Sequence, residues 1–281
     1  MKKNTNISVV TTCFNDGHML HLPVGSVARQ TRSAMEHIIV DDGSAQPETL
    51  KILDDLERAG GVRVIHQPNT GLAGARNTGI KAATGDYIFP LDADDRIPED
   101  CLETLAAILD ENPGVTVGYG DYETFGLETR TVHTGLPNTY RLLFNNFMPV
   151  SSLFRRTAWE ITGGYAEGIL GFDDWEFWIK LAERGMVFRK VDKITYFHHV
   201  HANNMWLRDK SKWSRIIAQI RALHPDLYTA QHLAKVRKEN HVTWLENAVY
   251  RIPPPTRYRL RRSALAFSIP IARMLGLYRD K

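Results

Sequence analysis

The chain has 281 residues, 43% of them hydrophobic, enough for one large α/β domain or two small ones with a core of their own. Its formal charge of +3 is uneven: from Arg251 onward eight Lys/Arg stand against one Asp, a local balance of +7 that leaves −4 for the first 250 residues. This distribution excludes a nucleic-acid enzyme with a basic active groove and assigns any anionic partner to the C-terminus. The opening Met1 to Val10 lacks the apolar segment of a secretory signal, and no uninterrupted apolar stretch approaches the roughly 20 residues that cross a bilayer, so a cytoplasmic protein is expected. Cys13 and Cys101 lie far apart without metal-ligand spacing and read as small core residues.

In chain order, strand-like runs at Ile7 to Thr12, Glu36 to Asp41, Val62 to His66 and Asp86 to Leu91 alternate with helical windows over 17–29, 47–59 and 71–83. Pro47-Glu48 suits a helix first turn, and Pro98-Glu99-Asp100 opens a further helix to about Asp110. Such alternation implies right-handed βαβ units and a parallel sheet, with ligands at the carboxyl ends of the strands. Strands are also expected at Val115 to Tyr119, Met148 to Phe154 and Lys193 to His199, the last two flanking a helix from Asp174 to Arg184. Residues 206–248 read as two helices parted near His224-Pro225, and Pro253-Pro254-Pro255 closes the regular region. The expected division is a sheet domain over 1–205, a helical extension over 206–250 and a basic, apolar tail over 251–281.

Two acidic clusters fall at expected strand ends. Leu91-Asp92-Ala93-Asp94-Asp95 places three carboxylates in four positions, a costly arrangement unless a cation sits among them. Hard divalent ions such as Mn²⁺ or Mg²⁺ prefer oxygen ligands and keep positions open for substrate phosphates; the alternative is an acidic loop before the next helix. Val40-Asp41-Asp42-Gly43-Ser44 offers a carboxylate that can accept the ring N–H of uracil, thymine or guanine, or else cap a turn and helix. Gly71 to Gly79 is a Gly-rich helix opening whose Arg76 can aim its fork at a nucleotide or at the acidic cluster; its spacing does not fit a dinucleotide fingerprint.

Taken in order, Val9 to Asn15, Ser26 to Thr31, Val40 to Ser44, Asn69 to Asn77 and Leu91 to Asp95 resemble family 2 glycosyltransferases of the GT-A fold. The resemblance implies an α/β fold, a GT-A type nucleotide-binding sheet flanked by helices, with additional C-terminal helices. It further implies that Thr12, Phe14 and Asp42 bind the donor base with help from Arg76, that Asp92 touches the ribose, and that Asp94 holds a metal bridging the diphosphate. Phe14 stands where Tyr is frequent, so stacking is kept and a phenol hydrogen bond is not. Gly171 to Trp178 is similar to the family's Glu-Asp motif with Asp173 in the first position, which puts the general base on Asp174. His199-Val200-His201 falls where the family often has Arg-x-His, making His201 a second metal ligand; strand alternation sets His199 and His201 on one face and His198 on the other.

The function expected is transfer of a sugar, with inversion, from a nucleotide diphosphate sugar, a UDP-sugar by preference, to a hydroxyl of a glycan or lipid-linked acceptor. A sugar-phosphate nucleotidyltransferase would need a basic Gly-rich loop near the N-terminus, and Thr11 to Gly17 has no Lys or Arg. An inactive binding module is the other rival, against which Asp42, Asp94 and Asp174 stand together. The arginines at 257, 259, 261 and 262 precede an apolar stretch from Ala264 to Tyr278, which suits either an anionic membrane surface on the cytoplasmic side or packing against the domain or a second subunit.

Overall fold

The computed structural model describes residues 6–169, 171–202 and 213–252. Strands β1 (Ile7–Cys13), β2 (Glu36–Asp41), β3 (Arg63–His66) and β4 (Tyr87–Asp92) lie parallel in the order β3-β2-β1-β4. Every residue of β1 is buried, which is why it reads as a nearly continuous apolar run and not as an alternation. Helices α1 (His21–Ala28), α2 (Pro47–Ala59), α3 (Gly71–Ala82) and α4 (Cys101–Glu111) follow the four strands. Val9, Phe89 and Leu91 pack with Leu102 and Leu105 of α4 on one face. The neighbouring Val10 and Val40 face α3 on the other, where a Cβ on Gly79 would stand 2.4 Å from Val10 Cγ1. That glycine therefore sets how closely α3 can approach the sheet.

The window over 17–29 is not one helix. A 3₁₀ turn at Gly17–Met19 precedes α1, because Pro23 is tolerated only in a first turn and the α-helix starts just before it.

The second half adds β5 (Val115–Gly126), β6 (Arg130–Val132), the short α5 (Thr139–Leu142), β7 (Leu153–Arg155), α6 (Arg156–Thr162), α7 (Asp173–Glu183) and β8 (Val187–Val200). Strand β7 lies between β4 and β5 and is antiparallel to both, so the eight-stranded sheet is mixed where a parallel one is expected. It is also shorter than the run from Met148 suggests. Ser152 turns back, its N–H donating to Val150 O at 2.8 Å and its hydroxyl to Pro149 O at 2.7 Å, so that stretch is not paired in the ladder. Strand β8 runs parallel to β5 along most of its length, and its far end returns to the loop after β4 through paired backbone bonds between Arg96 and Phe197.

The described residues form two compact units: the sheet with α1 to α4, α6 and α7, and a helical unit in which Asn138–Phe147 joins residues 213–252. The helical unit contains α5, α8 (Trp213–Leu223), α9 (Ala230–Glu239) and α10 (Trp244–Arg251). Thr139 N donates to Asn240 Oδ1 at 3.0 Å and Tyr228 Oη to Leu143 O at 2.9 Å, which fastens the 138–147 segment to its helices. The second of the two helices expected here is divided, because His241 adopts a left-handed φ of 51° and Thr243 with Glu246 starts α10 with a capping box. Among the described residues no helix is long and apolar enough to cross a membrane. The basic, apolar segment from Pro253 onward, where a membrane contact is expected, lies outside them.

Candidate active site

The carboxyl ends of β1, β2 and β4 converge. The register sets Thr12 opposite Val40 on one side and Asp92 on the other, so the first strand's end is flanked by both acidic clusters. Phe14 follows with 49% of its surface exposed, an open ring face beside the strand ends. Asp42 is buried and heavily bonded: Oδ1 accepts from Gln67 Nε2 at 2.7 Å and from Thr70 N at 2.8 Å, and Oδ2 accepts from Gly71 N at 2.9 Å. It thereby caps α3 from outside the helix, the turn-and-cap alternative left open by the sequence. Asn15, at a left-handed φ of 58°, holds the loop between them by accepting from Ala45 N and Gln46 N.

Beyond β4, Asp94 Oδ2 lies 2.9 Å from His201 Nε2. His199 joins them, and ligand atoms of the three residues all lie within 4.8 Å of one another. The Arg96–Phe197 bridge carries residues 107 positions apart to one place, with Phe197 N donating to Arg96 O at 2.8 Å. Alternation along β8 then turns His199 and His201 to Asp94 and His198 to Asp95. His199 stacks on Phe125 with centroids 4.7 Å apart. The resemblance places His199 where Arg is common and gives the ligand role to His201; the i, i+2 spacing of the two is the signal that could have added His199.

Asp95 plays a different part. It is wholly buried, accepts from the Tyr196 hydroxyl, and receives His199 N at 2.7 Å on Oδ1. It fastens the end of β8, so the third acid of the cluster positions the imidazoles and does not face the open site.

Burial, followed by the charges of Asp95 and Asp92, pushes the Asp94 carboxyl well above the ordinary carboxylate range. Burial works against protonation of His198, and the charge and hydrogen bond of Asp95 overcome it and raise that imidazole. A carboxylate held among like charges favours a cation. One carboxylate with two imidazoles is a donor set that suits a divalent ion such as Mn²⁺, so these residues fit the metal the sequence implies.

Elsewhere along the chain, Phe172 takes a left-handed φ of 59° and α7 begins at Asp173. Asp173, Asp174 and Glu176 crowd its first turn, where the helix dipole favours anions. Trp175 and Trp178 are fully buried and serve as core. Of the two targets open to Arg76, its fork takes the acids: Nη1 donates to Asp173 Oδ2 and Nη2 to Asp92 Oδ1, each at 2.6 Å. Against the desolvation that burial imposes, Asp173 and then Asp92 hold the guanidinium firmly charged.

The sequence model of glycosyl transferase family 2 matches residues 8–172, more than half of the chain. The chain belongs to this family. Among its relatives is chondroitin synthase of Escherichia coli, 27% identical over 213 residues that make up 73% of this chain and 30% of that protein. The chain spans about a fifth to two fifths of the length of the curated relatives it matches. Two solved structures share the fold. S. aureus TarS 1-349 in complex with UDP-GlcNAc superposes with a TM-score of 0.64 at 17% identity, covering 92% of this chain and 79% of that one. The mannosyltransferase PcManGT from Pyrobaculum calidifontis in complex with GDP-Man and Mn²⁺ gives 0.61 at 18% identity, covering 97% and 79%. A central sheet flanked by helices, of GT-A type, is thus the architecture of the family member described here.

Proposed function

We propose that this protein transfers a sugar, with inversion, from a UDP-sugar to a hydroxyl of a glycan or lipid-linked acceptor. The observation that carries the reading is the pairing of two unlike acidic centres at one sheet end. Asp94 with His199 and His201 forms one, and Asp174 at the start of α7 forms the other. Arg76 ties the second to β4 through Asp173 and Asp92. Family membership supports it, as do the UDP-GlcNAc and GDP-Man that the similar TarS and PcManGT structures hold.

In this reading Phe14 stacks on the base, Thr12 and the outer edge of Asp42 lie beside it, and Asp92 meets the ribose. Asp94, His199 and His201 would hold the divalent ion, which when bound supplies countercharge for the diphosphate. Asp174 accepts the proton of the acceptor hydroxyl as its oxygen forms the new bond to the anomeric carbon and the bond to the diphosphate breaks. One displacement inverts the anomeric configuration, and no covalent sugar-enzyme intermediate is formed.

A thermal-shift panel of UDP- and GDP-sugars, each with and without Mn²⁺, tests this assignment. The expected result is stabilisation that requires Mn²⁺ and is larger with a UDP-sugar. Greater stabilisation by GDP-sugars would overturn the choice of base, and a melting temperature unmoved by every nucleotide sugar would overturn the donor class.

A further inference from the structure

Arg76 and Asn77 are consecutive on α3, and together they bond the end of β4, the residues between α6 and α7, and the first residue of α7. Arg76 bridges Asp92 at the end of β4 and Asp173 at the start of α7. Asn77 holds the approach to that helix: its Oδ1 accepts from Trp159 Nε1 of α6 at 3.0 Å and from Tyr165 N at 2.9 Å. Its Nδ2 donates to Tyr165 O at 2.9 Å and to Glu167 Oε1 at 3.3 Å. Gly164 makes this approach possible. It has a φ of 79°, and a Cβ there would stand 2.6 Å from Asn77 Oδ1. Lys180 of α7 closes the loop by donating to Gly164 O.

The guanidinium itself is closed to a ligand. Arg76 is 3% exposed, both terminal nitrogens are taken, and its plane lies against the Tyr165 ring, 5.7 Å from the centroid. Its Nε is buried without a hydrogen-bond partner. A planar fork that spans two carboxylates fixes distance and angle at once, which a lysine ammonium on a flexible stem does not.

The geometry points to the Arg76-Asn77 pair as a positioning clamp that sets where Asp174 stands relative to β4, with Arg76 acting through Asp92 and Asp173 and not on the donor. This rests on Asp174 being the base. A displacement of about 1 Å between reacting groups can cost about 10²-fold in rate, so loosening the clamp strikes turnover; the Asn77 arm does so without touching a residue assigned to the nucleotide.

The test compares Arg76→Lys, Asn77→Asp and Asp173→Asn with wild type in two measurements. One is the affinity for UDP with Mn²⁺ by calorimetry. The other is the rate of nucleoside diphosphate release at saturating nucleotide sugar, using the donor selected by the panel above. The expected result is a kcat lower by about 10- to 100-fold in all three, with UDP affinity within about twofold in Asn77→Asp and Asp173→Asn, which leave the Arg76–Asp92 contact in place. If Arg76→Lys does not fold, Asp173→Asn, which keeps the shape of the side chain, makes the same comparison. Weakened UDP binding with kcat unchanged would make Arg76 a donor contact and overturn the clamp, as would wild-type values in both measurements. Asp174→Asn in the same assays keeps the two claims apart: a wild-type rate there would sink the base assignment, while the division between affinity and rate at Arg76 would still be read independently.

Discussion

Replacing Asp174 with Asn is expected to lower transfer by about 10²- to 10⁴-fold at saturating donor and to leave nucleotide affinity within about a factor of two. The amide keeps the shape and loses the ability to take a proton. Asp174 sits on α7, whereas Phe14, Asp42 and Asp92, the residues proposed for the nucleotide, belong to the strand ends, so the exchange removes none of the proposed donor contacts. The neighbouring Asp173 does not replace it, because it is 2% exposed and its carboxylate already accepts from Arg76 at 2.6 Å. Steady-state kinetics combined with UDP titration checks the split between rate and affinity. A near wild-type rate in the variant would place the base on another residue.

The second large effect is expected from Asp94→Asn. Asp94 brings the negative charge among the three grouped ligands, the other two being imidazoles, and the amide is a poorer ligand for a hard or borderline divalent ion. Changes in the shell around a metal ligand alone cost about 10- to 100-fold in affinity; loss of the charged ligand itself is expected to cost about 100-fold or more for Mn²⁺. The metal-free variant should melt no lower than wild type. Burial and the charges of Asp95 and Asp92 already disfavour the ionised form of this carboxyl, so a neutral amide of the same shape adds no electrostatic cost. Calorimetric titration of Mn²⁺ in the presence of UDP, beside a melting curve of the metal-free protein, checks both halves. Unchanged Mn²⁺ affinity would remove Asp94 from the site.

The parts of the site legible in the sequence are those fixed by local pattern. Thr12, Asp42 and Asp92 to Asp95 stand at or just after the ends of short apolar runs of strand length, and ligands gather at such ends. Strand alternation likewise separates His198 from His199 and His201 before any fold is known. What the sequence hides depends on partners far along the chain. Asp95 looks equivalent to Asp94, yet it is directed inward by Tyr196 and by His199 N, groups 101 and 104 residues away. The direction of the Arg76 fork depends on where α7 lands. Strand β7 is antiparallel because the chain enters it from a turn at Pro149 to Ser152, and its few residues carry no mark of direction. The break between α9 and α10 was readable in principle, since Thr243 and Glu246 stand at capping-box spacing.

The central claim, cleavage of a nucleotide-sugar bond at this sheet end, is tested most directly by following nucleoside diphosphate release from a panel of UDP- and GDP-sugars incubated with the folded protein and Mn²⁺. The account predicts release from a UDP-sugar that stops when the metal is chelated and is strongly reduced in Asp174→Asn. No release from any nucleotide sugar, by protein that binds UDP in the presence of Mn²⁺, would contradict it and make the chain a binding module.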